Sequence, residues 1–458
     1  MLLKFGKIMR LNYEKKAVIT IVGTIGVNSS KATYFSDIPQ IKQTKDINTL
    51  PILIKTFSRD YEIIALHTQR AKAIQEKVIQ SDNEIDNFIF KDEWKIENDT
   101  EFDEIFSKID DLISRYEKVI IDVSHGFRHL PILMMVDVII HNIRNIDKIE
   151  MILFAKEIEK QKKYEFIDLK RYLDLANISY VLNTFEKNYT IASNVSVKDK
   201  NFQKLLNDLN KFSEHILANS LDELLRSEDN LVEKILNRIN SLLEDDKSIF
   251  RNINRLLENT KKHLEYFRDL KNKKNYEMLF YTAKEMYKRG YLLNSVTLLS
   301  EALGMYCTWG LKKIDPKIKQ KIEEYEKRAI LQKNNKKMNF SLYDLYKQAK
   351  TFYYTRDNRY EYKFLMVKED KDWNKSIKNE IKPIVEKKNL FNEKIANLSF
   401  KCDINIRNNL AHANTAKRLS DVKKEIKDVI EQFELYCIIQ DVLKVNKSGT
   451  DGRDIKFA

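Results

Sequence analysis

The chain has 458 residues, more than one ordinary domain holds, so two or three domains are expected. It contains 9 Gly and 5 Pro, against roughly 32 and 23 at average usage. That scarcity excludes a β-sandwich, a propeller or a long disordered linker and favours helix. The net charge of +13 points to a polyanionic partner.

The charge is uneven. Residues 1–200 sum to zero, 201–250 to −4, 251–420 to +18 and 421–458 to −1. Three scattered cysteines, Cys307, Cys402 and Cys437, have no metal-ligand spacing and suit a reducing compartment. The N-terminal stretch is charged every few residues and lacks the apolar run of a signal peptide. The most apolar segment, Leu130–Ile140, contains Asp137 and is too short to span a bilayer. A cytoplasmic protein with no membrane association is expected.

In chain order, KAVITIVGTIG (16–26) reads as a buried strand ending in a tight loop. YEIIALHTQ (61–69) is a second strand, with a helix from Arg70. KVIIDVSHG (118–126) is a third and runs straight into a helix with Pro131 in its first turn. KIEMILFAKEI (148–158) is a fourth strand and KKYEFIDL (162–169) a fifth. Strands alternating with helices imply a mostly parallel α/β sheet.

Ligands in such sheets sit beyond the carboxyl ends of the strands. Two loops qualify: Gly23-Thr24-Ile25-Gly26, and Asp122 through His129. The second places Ser124, His125, Gly126, Phe127, Arg128 and His129 at a helix N-terminus, whose free N–H groups and dipole suit phosphate. Arg128 adds a bidentate contact. The GxxG spacing does not match a dinucleotide fingerprint. Each residue also has a purely structural alternative: the glycines turn the chain, Asp122 and Ser124 cap a helix, and His125 packs in place.

From about Lys200 the apolar period becomes 3.6. Leu205, Leu209, Phe212, Ile216 and Leu217 share one face, as do Leu231, Ile235, Leu236, Ile239, Leu242 and Leu243. Helices are expected to continue through 275–305, 317–335 and 374–443. In TFYYTRDNRYEYKF (351–364) aromatics alternate with polar residues, which reads as a hairpin or exposed loop. There Arg356, Arg359, Tyr360 and Lys363 are candidates to stack on and neutralise single-stranded RNA, with ordinary aromatic packing as the alternative.

IRNNLAHAN (406–414) sets Arg407 and His412 five positions apart, with Asn408 after the arginine. None of the other six histidines has an arginine five to seven positions upstream. The chemistry fits RNA cleavage. A neutral His takes the proton of a 2′-hydroxyl, Arg stabilises the extra charge on the phosphorane, and Asn408 orients either partner. No carboxylate cluster in this region suggests a metal. Five helical residues turn about 500°, which leaves the two side chains roughly 140° apart. Two chains meeting at a two-fold axis converge them far more easily than one.

These residues resemble the type III CRISPR-associated ribonucleases that join a CARF sensor to a HEPN effector. Asp122-Val123-Ser124-His125-Gly126-Phe127-Arg128 is similar to the Asp-x-(Ser/Thr)-His-Gly-x-Arg segment of CARF domains. Gly23-Thr24 resembles their first glycine loop, and Arg407-Asn408-Asn409-Leu410-Ala411-His412 the Arg-(x)4–6-His motif of HEPN ribonucleases. The resemblance implies a Rossmann-like α/β CARF domain over 1–195, a helical linker over 196–270 and an all-α HEPN domain over 271–458 with a hairpin insertion near 351–364. It implies a homodimer or higher homo-oligomer and no cofactor. A cyclic oligoadenylate, by preference cyclic tetra-adenylate with cyclic hexa-adenylate as alternative, would activate metal-independent cleavage of single-stranded RNA. Carried over by position, Gly23, Thr24, Gly26, Thr68, Ser124, His125, Gly126, Phe127 and Arg128 would bind the messenger. Arg407, Asn408 and His412 would be catalytic. The competing expectation is a ligand-responsive nucleic-acid-binding regulator without catalysis.

Overall fold

β1 (Lys16–Ile21) is apolar on both faces: Ala17, Ile19 and Ile21 enter one buried layer, Val18 and Val22 the other. A strand buried on both sides needs no polar alternation. In the computed structural model, the described residues are 15–97, 100–125, 129–145, 147–191, 195, 197, 199–225, 230–244, 249–331, 340–356, 363–412 and 417–443. Around β1 stand β2 (Ala32–Ser36), β3 (Thr44–Asp46), β4 (Glu62–Leu66), β5 (Lys118–Asp122), β6 (Ile149–Glu159) and β7 (Lys163–Asp168). The sheet order is β3-β2-β7-β6-β5-β1-β4. Strands β4, β1, β5 and β6 run parallel, and β2 runs parallel to β7. The β6–β7 and β2–β3 pairs are antiparallel.

Helices α1 (Thr49–Phe57) and α2 (Gln69–Gln80) cover one face of the sheet through Leu50, Leu53, Phe57, Ala71 and Ile79. On the other, α3 (Phe102–Ser114) and α4 (His129–Arg144) supply Ile105, Ile109, Leu112, Leu130, Met134 and Val138. The five expected strands are all present. The two unforeseen ones, β2 and β3, are short and carry little apolar sequence. Much of what β2 packs against lies far along the chain, since Tyr34 stacks on Tyr164 at 5.1 Å.

The chain divides into two compact units, 1–186 with 190–210 and 238–258, and 187–189 with 211–237 and 259–458. The dividing points fall inside α5 (Lys170–Asn188), α6 (Lys200–Leu217), α8 (Leu231–Leu243) and α9 (Asn254–Leu270), and between Tyr189 and Thr190 just after α5, with the short α7 (Leu221–Leu225) between α6 and α8. The amphipathic faces are as expected, except that Leu217 at the end of α6 is 43% exposed.

The second unit has no strand among its described residues. It continues through α10 (Asn275–Lys288), α11 (Leu292–Lys312), α12 (Pro316–Leu331), α13 (Leu342–Tyr354), α14 (Lys371–Ser376) and α15 (Lys382–Val385). Then α16 (Glu393–Ser399) runs through a π-helical stretch, Phe400–Arg407, into α17 (Asn408–Ala411), and α18 (Leu419–Phe433) follows. The helix expected over 275–305 is two helices, with Gly290 at φ 81° between them. The hairpin or exposed loop expected at 351–364 is corrected over Thr351–Tyr354, which is the last turn of α13, and its expected turn at Asp357-Asn358 lies outside the described residues. An α/β unit with a mostly parallel sheet is thus followed by an all-α unit.

Candidate functional site

In the first unit the groups beyond the strand ends are organised by Asp122, the last residue of β5, which is fully buried. Its carboxylate accepts from Thr20 Oγ1 at 2.7 Å and Thr49 Oγ1 at 3.1 Å. It also accepts from the Ser124 amide at 3.1 Å and from the Ser124 hydroxyl. Charge-assisted bonds of this number are what make a buried carboxylate tolerable. Ser124 Oγ in turn accepts from the Ala155 amide at 2.8 Å. Ser124 therefore ties the β5 loop to β6.

His125 accepts the Thr49 amide at Nε2 over 3.4 Å, which places its proton on Nδ1. Burial pushes its pKa down, and nearby Asp122 acts in the opposite sense. The ring is neutral at pH 7. Asn48 caps α1, accepting from the Leu50 amide, and its Nδ2 reaches Ile25 O at 3.1 Å and Gln75 Oε1 at 2.9 Å. Gln75 Nε2 donates to Gly23 O and Ile25 O at 2.8 and 2.9 Å. The glycine loop is thus clamped from α1 and α2. At Gly26 a Cβ would lie 2.6 Å from Ile74 Cγ2, so the loop passes α2 at a distance only glycine allows. A space of about 10 Å³ beneath the loop, lined by Gly23, Thr49 and His125 among others, is room for about one water.

The structure brings Gly23 and His125 to one small space, sets Gly26 against α2 and Ser124 against Asp122 and β6, and leaves Thr24 exposed. Thr68 caps α2, accepting from the Ala71 amide at 3.3 Å. Gly126, Phe127 and Arg128 lie outside the described residues. Sequence reasoning missed Asn48, Thr49 and Gln75. Asn48 followed by Pro51 in the first helical turn was a legible start signal for α1.

In the second unit Arg407 and Asn408 line a cavity of about 270 Å³, with Ser300 and Glu301 of α11 and Tyr346 and Lys350 of α13 among its walls. Lys350 is buried and donates to Asp403 Oδ2 at 2.6 Å and Ser300 Oγ at 3.0 Å, and Ser300 donates to Asp403. Asp403 and Arg407 belong to the same π-helical stretch, a geometry common at functional sites. Burial pushes the Glu301 carboxyl up, the Lys350 and Arg407 cations oppose this, and Asp403 adds to it. His412 is exposed at the end of α17, its amide bonded to Asn408 O at 3.0 Å, and is not among the residues lining the cavity. Ser300, Glu301, Lys350 and Asp403 were not foreseen, because no local motif joins α11, α13 and the Arg407 segment.

Of the RNA-binding candidates, Arg356 is exposed with its guanidinium 4.8 Å from the Phe391 ring. Arg356 and Lys363 line a second cavity of about 690 Å³. Arg359 and Tyr360 lie outside the described residues. Elsewhere, Asp110, Asp137 and His141 on α3 and α4 come within ligating distance of one another. There His141 Nε2 lies 2.8 Å from Asp110, which an ordinary histidine–carboxylate hydrogen bond explains. No helix among the described residues is long and apolar enough to cross a membrane.

No protein-family profile matches the sequence, and no curated protein matches it. Among solved structures, Enterococcus italicus Csm6 bound to cyclic hexa-2′-fluoro-hexa-dAMP is similar over 92% of this chain and 92% of its own. The identity is 14% and the TM-score 0.28. At that level the likeness assigns no residue a role.

Proposed function

We propose that the chain is a cyclic oligoadenylate-activated, metal-independent endoribonuclease of the CARF–HEPN kind, acting on single-stranded RNA in type III CRISPR defence. The observation that carries this reading is the Arg407–Asn408 cavity in an all-helical unit, with His412 exposed one short helix further on. Two such sites facing across a two-fold axis supply the acid–base group and the cation that one chain holds apart. His412 accepts the 2′-hydroxyl proton. The 2′-oxygen attacks the adjacent phosphorus, the 5′-oxygen leaves with a proton handed on by the His412 imidazolium, and a 2′,3′-cyclic phosphate remains. Arg407 stabilises the charge that builds on the phosphoryl oxygens, and Asn408 orients it.

The messenger site consists of the loop from Gly23 to Gly26, Thr68, Ser124 and His125, together with Gly126, Phe127 and Arg128. The Ser124 and Thr68 hydroxyls already serve Asp122 and α2. They shape the site, while backbone N–H groups and Arg128 meet the phosphates. Cyclic tetra-adenylate is the preferred messenger.

The test is cleavage of a fluorophore–quencher RNA in EDTA, titrated with cyclic tetra- and hexa-adenylate. Arg128→Ala should raise the messenger concentration needed and spare the maximal rate. Arg407→Ala should lower the maximal rate by about 10²- to 10³-fold, the scale of losing one charge-stabilising group. Messenger binding without any RNA cleavage would instead support the non-catalytic regulator.

A further inference from the structure

We infer that α13 carries a track for single-stranded RNA that leads into the Arg407 cavity. The inference deepens the ribonuclease reading and rests on it for the direction of the track. It comes from two cavities that share walls. The one lined by Arg407 and the one lined by Arg356 and Lys363 both include Lys347 and Tyr354. The two are therefore neighbours along one helix.

The face of α13 between them has a composition that suits a nucleic acid. Tyr343, Lys347 and Tyr354 stand at helical spacings of four and seven, on one side of the helix. Tyr343 is 48% exposed and Tyr354 42% exposed. In the run Phe352-Tyr353-Tyr354 the first two rings are buried in the core and only the third faces out. An aromatic ring kept in solvent beside lysine offers a base a stacking surface and its phosphate a counter-charge. The other lysine of α13, Lys350, is committed to Asp403 and Ser300. Exposed Lys347, with Arg356 at one end and Arg407 at the other, is what remains to pair with phosphates. An acidic peptide would use the cations and leave the exposed rings without a role.

The test uses the full chain and a fluorescein-labelled oligouridylate, 2′-O-methylated so that it has no attacking hydroxyl. Binding is read by anisotropy, alongside cleavage of the unmodified RNA. Tyr354→Ala should weaken binding by about 5- to 150-fold, the range of one lost base–ring stack. Tyr354→Phe should bind like the natural chain, since the ring is what stacks. Lys347→Glu should weaken binding and raise KM by more than it lowers kcat. Lys319→Glu, at an exposed lysine of α12, controls for net charge. Equal weakening by Lys319→Glu and Lys347→Glu, or unchanged binding in Tyr354→Ala and Lys347→Glu, would overturn the track. An acidic peptide that displaces the oligonucleotide and binds as tightly to Tyr354→Ala would also overturn it, in favour of a protein partner. Failure of the natural chain to cut RNA, with these binding losses intact, would remove the ribonuclease reading and keep the track.

Discussion

Asp122 shows how much one buried carboxylate organises. It holds Thr20 of β1, Thr49 of α1 and the Ser124 loop together. Asp122→Ala strands those donors in a buried site, and each lost bond to a charged group is worth about 1.5–3 kcal/mol. Denaturant unfolding of that variant should show a loss of at least about 3 kcal/mol. A loss under about 1 kcal/mol would mean the cluster relaxes without it. The histidines set a pH response. Burial lowers the pKa of both His125 and His67, and the buried His67 Nε2 has no hydrogen-bond partner among the described residues. As pH falls past about 6.5 the unfolded chain takes up protons that the folded chain refuses. Their stability contribution is present above that value and lost below it. The unfolding midpoint should therefore drop between pH 7 and 5, and drop less in His67→Phe. Equal slopes in the two proteins would contradict this. At this scale the position of Ser124 and His125 just beyond the end of β5 was readable in the sequence. It was unreadable at Gln75 and Lys350, whose partners are distant along the chain.

At the scale of elements, α13 corrects the hairpin-or-loop reading over 351–354 for a reason visible in the residues. A window opened at Thr351 sees aromatic and polar residues alternating. Leu342, Leu345, Ala349, Phe352 and Tyr353 instead keep a helical spacing that crosses that boundary. Ser341 caps the start by accepting from the Asp344 amide. The helix had begun nine residues before the window. Its packing is close: a Cβ at Gly304 of α11 would lie 2.7 Å from Tyr346 Cβ and 3.1 Å from its carbonyl oxygen. Gly304→Ala must push α11 and α13 apart, at about 1–3 kcal/mol for overpacking. It should lower stability and RNA cleavage together, because these helices carry Glu301 and Lys350. Unchanged stability would show that α13 is free to shift. The strands and the long helices were legible because their periodicity is sustained. β2 and β3 were not: β3 has three residues, and β2, though as long as β4 and β5, has no run of aliphatic residues like theirs.

At the scale of the molecule, the +18 of residues 251–420 belongs almost wholly to the helical unit, and the first 200 residues are neutral. A small anionic ligand suits the neutral unit, whose positive features are local, and a long polyanion suits the basic one. Four of the five points at which the chain crosses between the units lie inside helices. We propose that these helices relay messenger binding to the cleavage site. Asn230 caps α8, accepting from the Val232 amide at 3.0 Å while its Nδ2 donates to Leu225 O. A flexible Gly-Ser insertion at Asn230 should leave messenger binding intact and abolish its effect on cleavage. Full activation of that variant would remove the rigid relay. The order of the two units was legible from the change in apolar period near Lys200, whereas the dividing points, set by packing, were not.

The most direct measurement is the rate of single-stranded RNA cleavage in EDTA, with and without cyclic tetra-adenylate, for the natural chain and for His412→Ala. The expected result is messenger-dependent cutting by the natural chain that falls by about 10²- to 10⁴-fold in the variant. Equal cutting by both proteins, or no cutting by the natural chain at saturating messenger, would contradict a ribonuclease centred on Arg407 and His412.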